Sequence, residues 1–286
     1  YGPCGFGNST TSPVTLTIYS DCKLDTMDLQ VIAYDANANP LVYIDKPGVT
    51  YTAGGSTAIT GQYQGLSTLT GTYTNVDPSI DSINLTRSVP DGYGFSRGGG
   101  GTPANGTLSV VVIGPQGTDA LIDSGVSRGR FVNEVRQKIA GNALTYGLDV
   151  GATLLPWLDQ PAFDIATRKL TVPVITTGTT TDKPDLFYAD INYSRTVGTT
   201  TLNFAWLVFA EAPADVTLPE LPAEIGDVMP KAGDTINGTF SSMFESDTLT
   251  SWDAVRADVY TAANGILDSA HTTATRIRIS SYGGGT

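Results

Sequence analysis

Gly125-Val-Ser127-Arg-Gly129 sets a serine between two glycines, the G-x-S-x-G spacing of a nucleophile elbow. In an elbow a strand turns sharply into a helix, which leaves the serine hydroxyl exposed for attack on an acyl carbon. The serine needs a base within hydrogen-bond reach. The chain has one histidine, His271, and it lies downstream, in the order such hydrolases use. Two features oppose the pairing. An elbow belongs to strands alternating with helices, whereas this sequence reads as hairpins. A chain with 32 glycines also meets the pattern by chance. A β-turn around Ser127 and a solvated loop around His271 are the simpler readings, and the two residues stand as the only catalytic candidates.

Other polar groupings do less. Ser20-Asp-Cys-Lys23 fits the S-x-x-K acylating motif, but its partner motifs are missing. Asp35, Asn37 and Asn39 have the opening spacing of a calcium loop. Such a loop needs glycine at its sixth position and a bidentate glutamate at its twelfth. Pro40 and Lys46 stand there, so a polar turn is expected and no metal or other cofactor is assigned. The 28 acidic residues are dispersed, and nothing marks two as the carboxylate pair of a glycosidase. Trp157 and Trp252 offer flat faces on which a sugar can stack, although aromatic rings more often serve packing. Trp206, inside the apolar run Leu202-Asn-Phe-Ala-Trp-Leu-Val-Phe209, reads as core. Asn8, Asn84, Asn105, Asn192 and Asn237 each open an N-x-Ser/Thr acceptor for glycosylation.

The bulk composition narrows the class. Of 286 residues, 40% are hydrophobic and only 15% charged, with a net charge of -12. The 16 lysines and arginines are scattered. Phosphate backbones need clustered cations, so nucleic acid is not an expected partner. No apolar run reaches the roughly 18 residues of a membrane-spanning helix. Cys4 and Cys22 are the only cysteines, and a disulfide between them is the natural reading in an oxidising compartment. It would close a loop of about 18 residues, for on the order of 3 kcal/mol in the chain-entropy view.

Elements must position whatever chemistry exists, and period-two alternation marks most of them as strands. Val14 to Tyr19 alternates, and Asp28 to Tyr34 with Leu41 to Ile44 forms a hairpin. Further strands are expected at 56–64, 67–76, 82–89, 107–113, 169–176, 186–194, 202–209 and 275–280. Residues 130–140 suit either a strand or a helical face, and the all-β context favours the strand. Four prolines bar residues 213–230 from an inner strand or an uninterrupted helix. Ser251 to Ala262 carries the signals of one short helix: a Ser or Thr cap, then Val255 and Val259 a turn apart. The expected fold is all-β, with two tandem antiparallel β-sandwich domains of Ig-like or transthyretin-like type, 1–150 and 151–286. The boundary falls in 141–164, where Leu154-Leu-Pro-Trp-Leu158 reads as a linker that packs its own apolar residues.

A resemblance that extends over about half the chain rests on Met27-Asp-Leu-Gln-Val-Ile-Ala-Tyr-Asp35, Pro40-Leu-Val-Tyr43, Phe163-Asp-Ile-Ala-Thr-Arg168, Ile191-Asn-Tyr-Ser-Arg195 and Val216-Thr-Leu-Pro-Glu-Leu-Pro222. They resemble uncharacterised secreted or surface proteins of myxobacteria and relatives, which carry carboxypeptidase-regulatory-like β-sandwich domains. The resemblance implies export and a sandwich fold, and it carries no active site. The expectation is a non-enzymatic extracellular structural or adhesive protein, secreted or on the cell surface after removal of a leader. It would be a subunit of a surface layer or fibre assembling by strand exchange, with its own copies or a surface glycan as partner. A carbohydrate-binding module is the alternative, and a serine hydrolase using Ser127 and His271 the third reading.

Overall fold

A computed structural model describes residues 5–7, 9–10, 15, 17–18, 26–37, 39–50, 54–55, 58, 60–88, 99–102, 106–112, 119–213, 215–249, 251–261 and 274–282. Cys4, Cys22, His271, Asn8, Asn105 and the Ser20–Lys23 motif lie outside them.

Strands dominate, as the alternation predicts. An eight-stranded sheet runs in the order Thr200–Ala210, Leu186–Val197, Thr235–Ser246, Arg276–Tyr282, Phe131–Ile139, Ala120–Arg128, Ser82–Ser88 and Gly99–Gly101. Every pairing within it is antiparallel. The ambiguous 130–140 stretch is one of its inner strands. Two of its hairpins turn on a two-residue loop opened by glycine, Gly129 at φ +61° and Gly198 at φ +63°. A side chain there would be strained, and II′ hairpin turns favour glycine at that position.

One face of this sheet carries the core. Along Ala120–Arg128, burial alternates strictly, with Ala120, Ile122, Ser124 and Val126 pointing inward. Opposite lies a second layer of short sheets. Thr145–Asp149, Ser67–Thr74 and Thr107–Val112 cover one half. The strands 162–164, 169–171 and 216–217 cover the other, and the pair 157–158 with 174–175 lies between, with Trp157 in one cluster and Leu158 in the other. Thr145–Asp149 runs parallel to Ser67–Thr74, a departure from the wholly antiparallel expectation. Thr26–Tyr34, Pro40–Thr50 and Gln64–Gly65 form a separate three-stranded sheet. Among the described part of 56–64, only Gln64 is in a strand.

The other face is covered at its centre by the helix Trp252–Thr261. Ser251 caps it by accepting the Ala254 N–H. Its Val255 is fully buried against Leu186, Phe244 and Ile277. A second helix, Val150–Thr153, was not foreseen and lasts a single turn, capped by the Asp149 carboxylate. Among the described residues of the proline-rich 213–230 segment, the regular elements are the short strand Val216–Thr217 and a 3-10 turn at Gly226–Val228.

The boundary near residue 150 does not divide the sheet. Phe131–Ile139 pairs over seven residues with Arg276–Tyr282, so strands from 82–139 and 186–282 share one ladder. The apolar core, in contrast, falls into two clusters on that common face. One gathers residues from 69 to 157 and the other from 155 to 282. Leu154 and Trp157 enter the first, while Leu155 and Leu158 enter the second. The stretch read as a linker is therefore a fully enclosed spline between the two.

Between the clusters the sheet's inner face is polar. Asn133, Ser280, Ser241 and Arg278 are all buried there. Asn133 Nδ2 donates to Ser280 Oγ at 3.4 Å. Arg278 Nε donates to Glu245 at 2.6 Å, Nη2 to Asp182 at 3.1 Å and Nη1 to the Thr153 carbonyl at 2.9 Å. One guanidinium thus ties the central strand to the adjacent strand and to both ends of the 153–182 segment. Removing one partner of a buried ion pair leaves the other charge uncompensated. Arg278→Met is expected to cost on the order of 3 kcal/mol in chemical denaturation. Arg278→Met with Glu245→Met is expected to recover most of it. A single variant within experimental error of wild type would show that the network carries no weight.

Candidate functional site

The catalytic candidates do not assemble a nucleophile. Ser127 sits inside a strand, opposite Val132 on one side and Ser82 on the other, and is half-buried. The tight turn comes after it, at Gly129-Arg130, and leads into another strand. The strand-to-helix turn that would expose its hydroxyl is missing, and His271 lies outside the described residues.

Asp35 spends both carboxylate oxygens on its own turn. Oδ1 accepts the N–H groups of Asn37 and Asn39, each at 2.8 Å, and Oδ2 accepts Asn39 Nδ2 at 3.1 Å. No group of three or more metal-ligating side chains occurs among the described residues.

Trp157 is 2% exposed and presents no face to a sugar. Trp206 and Trp252 are half-buried against the core clusters. Asn84 is exposed in mid-strand, where its side chain lies over Gly100: a Cβ there would collide with Asn84 Oδ1. Asn192 is half-buried, and Asn237 is exposed and accepts from Ser194 Oγ.

The feature that motif searching misses is an edge. Thr200–Ala210 is the last strand of the large sheet and pairs only with Leu186–Val197 among the described residues. It runs for 11 residues without a charge, a proline or a register shift. Natural sheets usually blunt such an edge with lysine, proline, a bulge or brevity. The opposite edge follows that rule: Gly99–Gly101 is three residues long. On the long edge Leu207 is 54% exposed and Leu202 43%.

This strand is held straight from both faces. Phe204 stacks on Tyr193 with ring centres 5.1 Å apart, and Phe209 stacks on Tyr188 at 5.6 Å. Cross-strand aromatic pairs of this kind stabilise a ladder by up to about 1 kcal/mol each. Burial pushes both tyrosine hydroxyls above their ordinary pKa. Arg195 lies over the Phe204 ring, 5.2 Å from its centre. That guanidinium forks onto Asp234, with Nε to Oδ1 and Nη2 to Oδ2 both at 2.8 Å. Its remaining donors reach the carbonyls of Asp227 and Met229. Tyr193 Oη donates to the Val228 carbonyl, so the whole 227–234 loop is fastened beside the edge. The backbone of the edge is consequently pre-formed, which lowers the ordering cost of pairing.

No protein-family model matches the chain, and no curated protein matches it either.

The hydrogen-bonded Arg195 guanidinium holds the Asp234 carboxyl below the usual carboxylate range. A depressed folded pKa gives stability that is complete above the unfolded value, about 3.9, and is lost as pH falls through the folded value. Asp234→Asn is expected to lower the melting temperature at neutral pH. The gap between the two proteins should then narrow on acidification from about pH 5 to about pH 3. A gap that stays constant with pH would show that the ion pair does not stabilise the loop.

Proposed function

We propose that this chain is a non-enzymatic structural subunit that associates with copies of itself through the Thr200–Ala210 edge. The observation that carries this reading is the length and chemistry of that edge: an 11-residue strand with no charge or proline, flanked by exposed leucine, whose outward-pointing N–H and C=O groups meet no further strand among the described residues. An added strand satisfies the free N–H and C=O groups, and the alternating side chains give the register its specificity. Edge-to-edge pairing of two copies closes a twofold dimer. Donation of a strand from elsewhere in the chain continues head to tail into a fibre. The charge of -12 works against association, so copies should join more readily as salt screens them. Export and a place on the cell surface accord with the family resemblance and with the low charged content, and belong to the same proposal.

Light scattering coupled to gel filtration tests it. Assembly is expected to rise with protein concentration and with ionic strength. Leu207→Lys places a charge on the exposed edge without entering the core, and is expected to reduce association at least tenfold while moving the melting temperature by no more than about 2 °C. A particle that stays monomeric across both series, or a variant that associates like wild type, would overturn the proposal.

A further inference from the structure

Two arginines are fully buried among the described residues, Arg87 and Arg278. Arg278 has its carboxylates, Glu245 and Asp182. Arg87, 4% exposed, has none among the described residues: its Nη2 donates to the Gly141 carbonyl, and its Nε is buried without a hydrogen-bond partner among them. The strand Ser82–Ser88 turns Arg87 toward the core, level with Ile122. Beside it lies a cavity of about 40 Å³. Tyr43, buried and donating to Gln64, forms part of the wall. Ser67 and Asn142 add polar groups to the lining, and no acidic residue does among the described residues. Asn142 and Leu144 are exposed, so the cavity reaches the surface at their side.

A charge taken out of water needs a counter-charge or a full set of hydrogen bonds. Arginine stays protonated even when burial pulls its pKa down, as it does here. The space is large enough for a small polar guest, since one water needs roughly 10–15 Å³ by this measure. A dianion would leave a second negative charge buried beside a single guanidinium. We propose that the Arg87 cavity binds one compact monovalent anion, either a halide or the carboxylate of a small organic acid, beside the Arg87 guanidinium.

The test uses the full chain in a gluconate buffer of constant ionic strength, with chloride, formate or sulfate replacing gluconate stepwise. Chloride or formate is expected to raise the melting temperature along a saturating curve, by about 3 °C at saturation. Sulfate should not. Broadening of the chloride-35 resonance reports occupancy directly, and formate should reverse it. Arg87→Gln is expected to abolish both effects, and Arg256→Gln, on the exposed helix surface, to leave them unchanged. Should Arg87→Gln fail to fold, Arg87→Lys keeps the buried charge but loses the planar fork, and is expected to bind at least tenfold more weakly. Shifts that do not saturate, or that are equal for every salt, would mean that the cavity holds water alone and would overturn the proposal. Unchanged binding in either Arg87 variant would overturn it as well.

Discussion

The backbone pairing of Arg276–Tyr282 between Phe131–Ile139 and Thr235–Ser246 holds this protein together. Take that strand away and the large sheet separates into a half built from 82–139 and a half built from 186–246. Each half has its own apolar cluster, and only Phe131 packs against both. What lies between them on the inner face is polar: Asn133, Ser280, Ser241 and the Arg278 ion pairs. Hydrophobic burial therefore stabilises the two ends of the sandwich. Continuity across the middle depends on main-chain hydrogen bonds and one buried cation, with Phe131, which packs on Tyr282, and the enclosed 154–158 segment as the apolar bridges. Such a seam gains little by packing, but its polar groups have few other places to go, which makes the register specific.

Much of this was legible in the sequence because it is local. The alternating strands at 67–76, 82–89 and 186–194 and the capped helix from Trp252 each follow from residues within a few positions of one another, whereas the strand Ala120–Arg128 falls where the sequence suggests a turn around Ser127. The 130–140 stretch resolves as a strand because its neighbours on both sides are strands. Strand order was not legible. Nothing within 276–282 says that it will pair with 131–139, over a hundred residues away, and the choice is made by the cost of leaving two inner edges open. Leu154–Leu158 was recognised as a segment that buries its own apolar side chains. That it sends them alternately into two clusters depends on which layer passes beneath it.

The candidate site was hidden for a related reason. Motif reading seeks residues that do chemistry, and it settled on Ser127, a strand residue, and on tryptophans that serve packing. An open edge consists of the alternate backbone groups that its single neighbour leaves unused. Its only trace in the sequence is negative: 11 residues in Thr200–Ala210 with no charge or proline. The same run was read as core because its alternate side chains, Trp206 and Val208 among them, do face the core. Arg195 illustrates how the rest of the fold serves that edge, since one side chain steadies Phe204 on the edge strand and closes the 227–234 loop beside it. The Arg87 cavity was equally invisible, because a buried cation without a carboxylate is recognisable only once its neighbours are known.

Amide hydrogen exchange followed through increasing denaturant tests the single-sheet architecture most directly. If the sheet is one body, the slowest amides of 131–139, 235–246 and 276–282 open with a common free energy and a common denaturant dependence. Two separate openings, with 276–282 following only one of its neighbours, would contradict it and would return the chain to a pair of independent sandwiches.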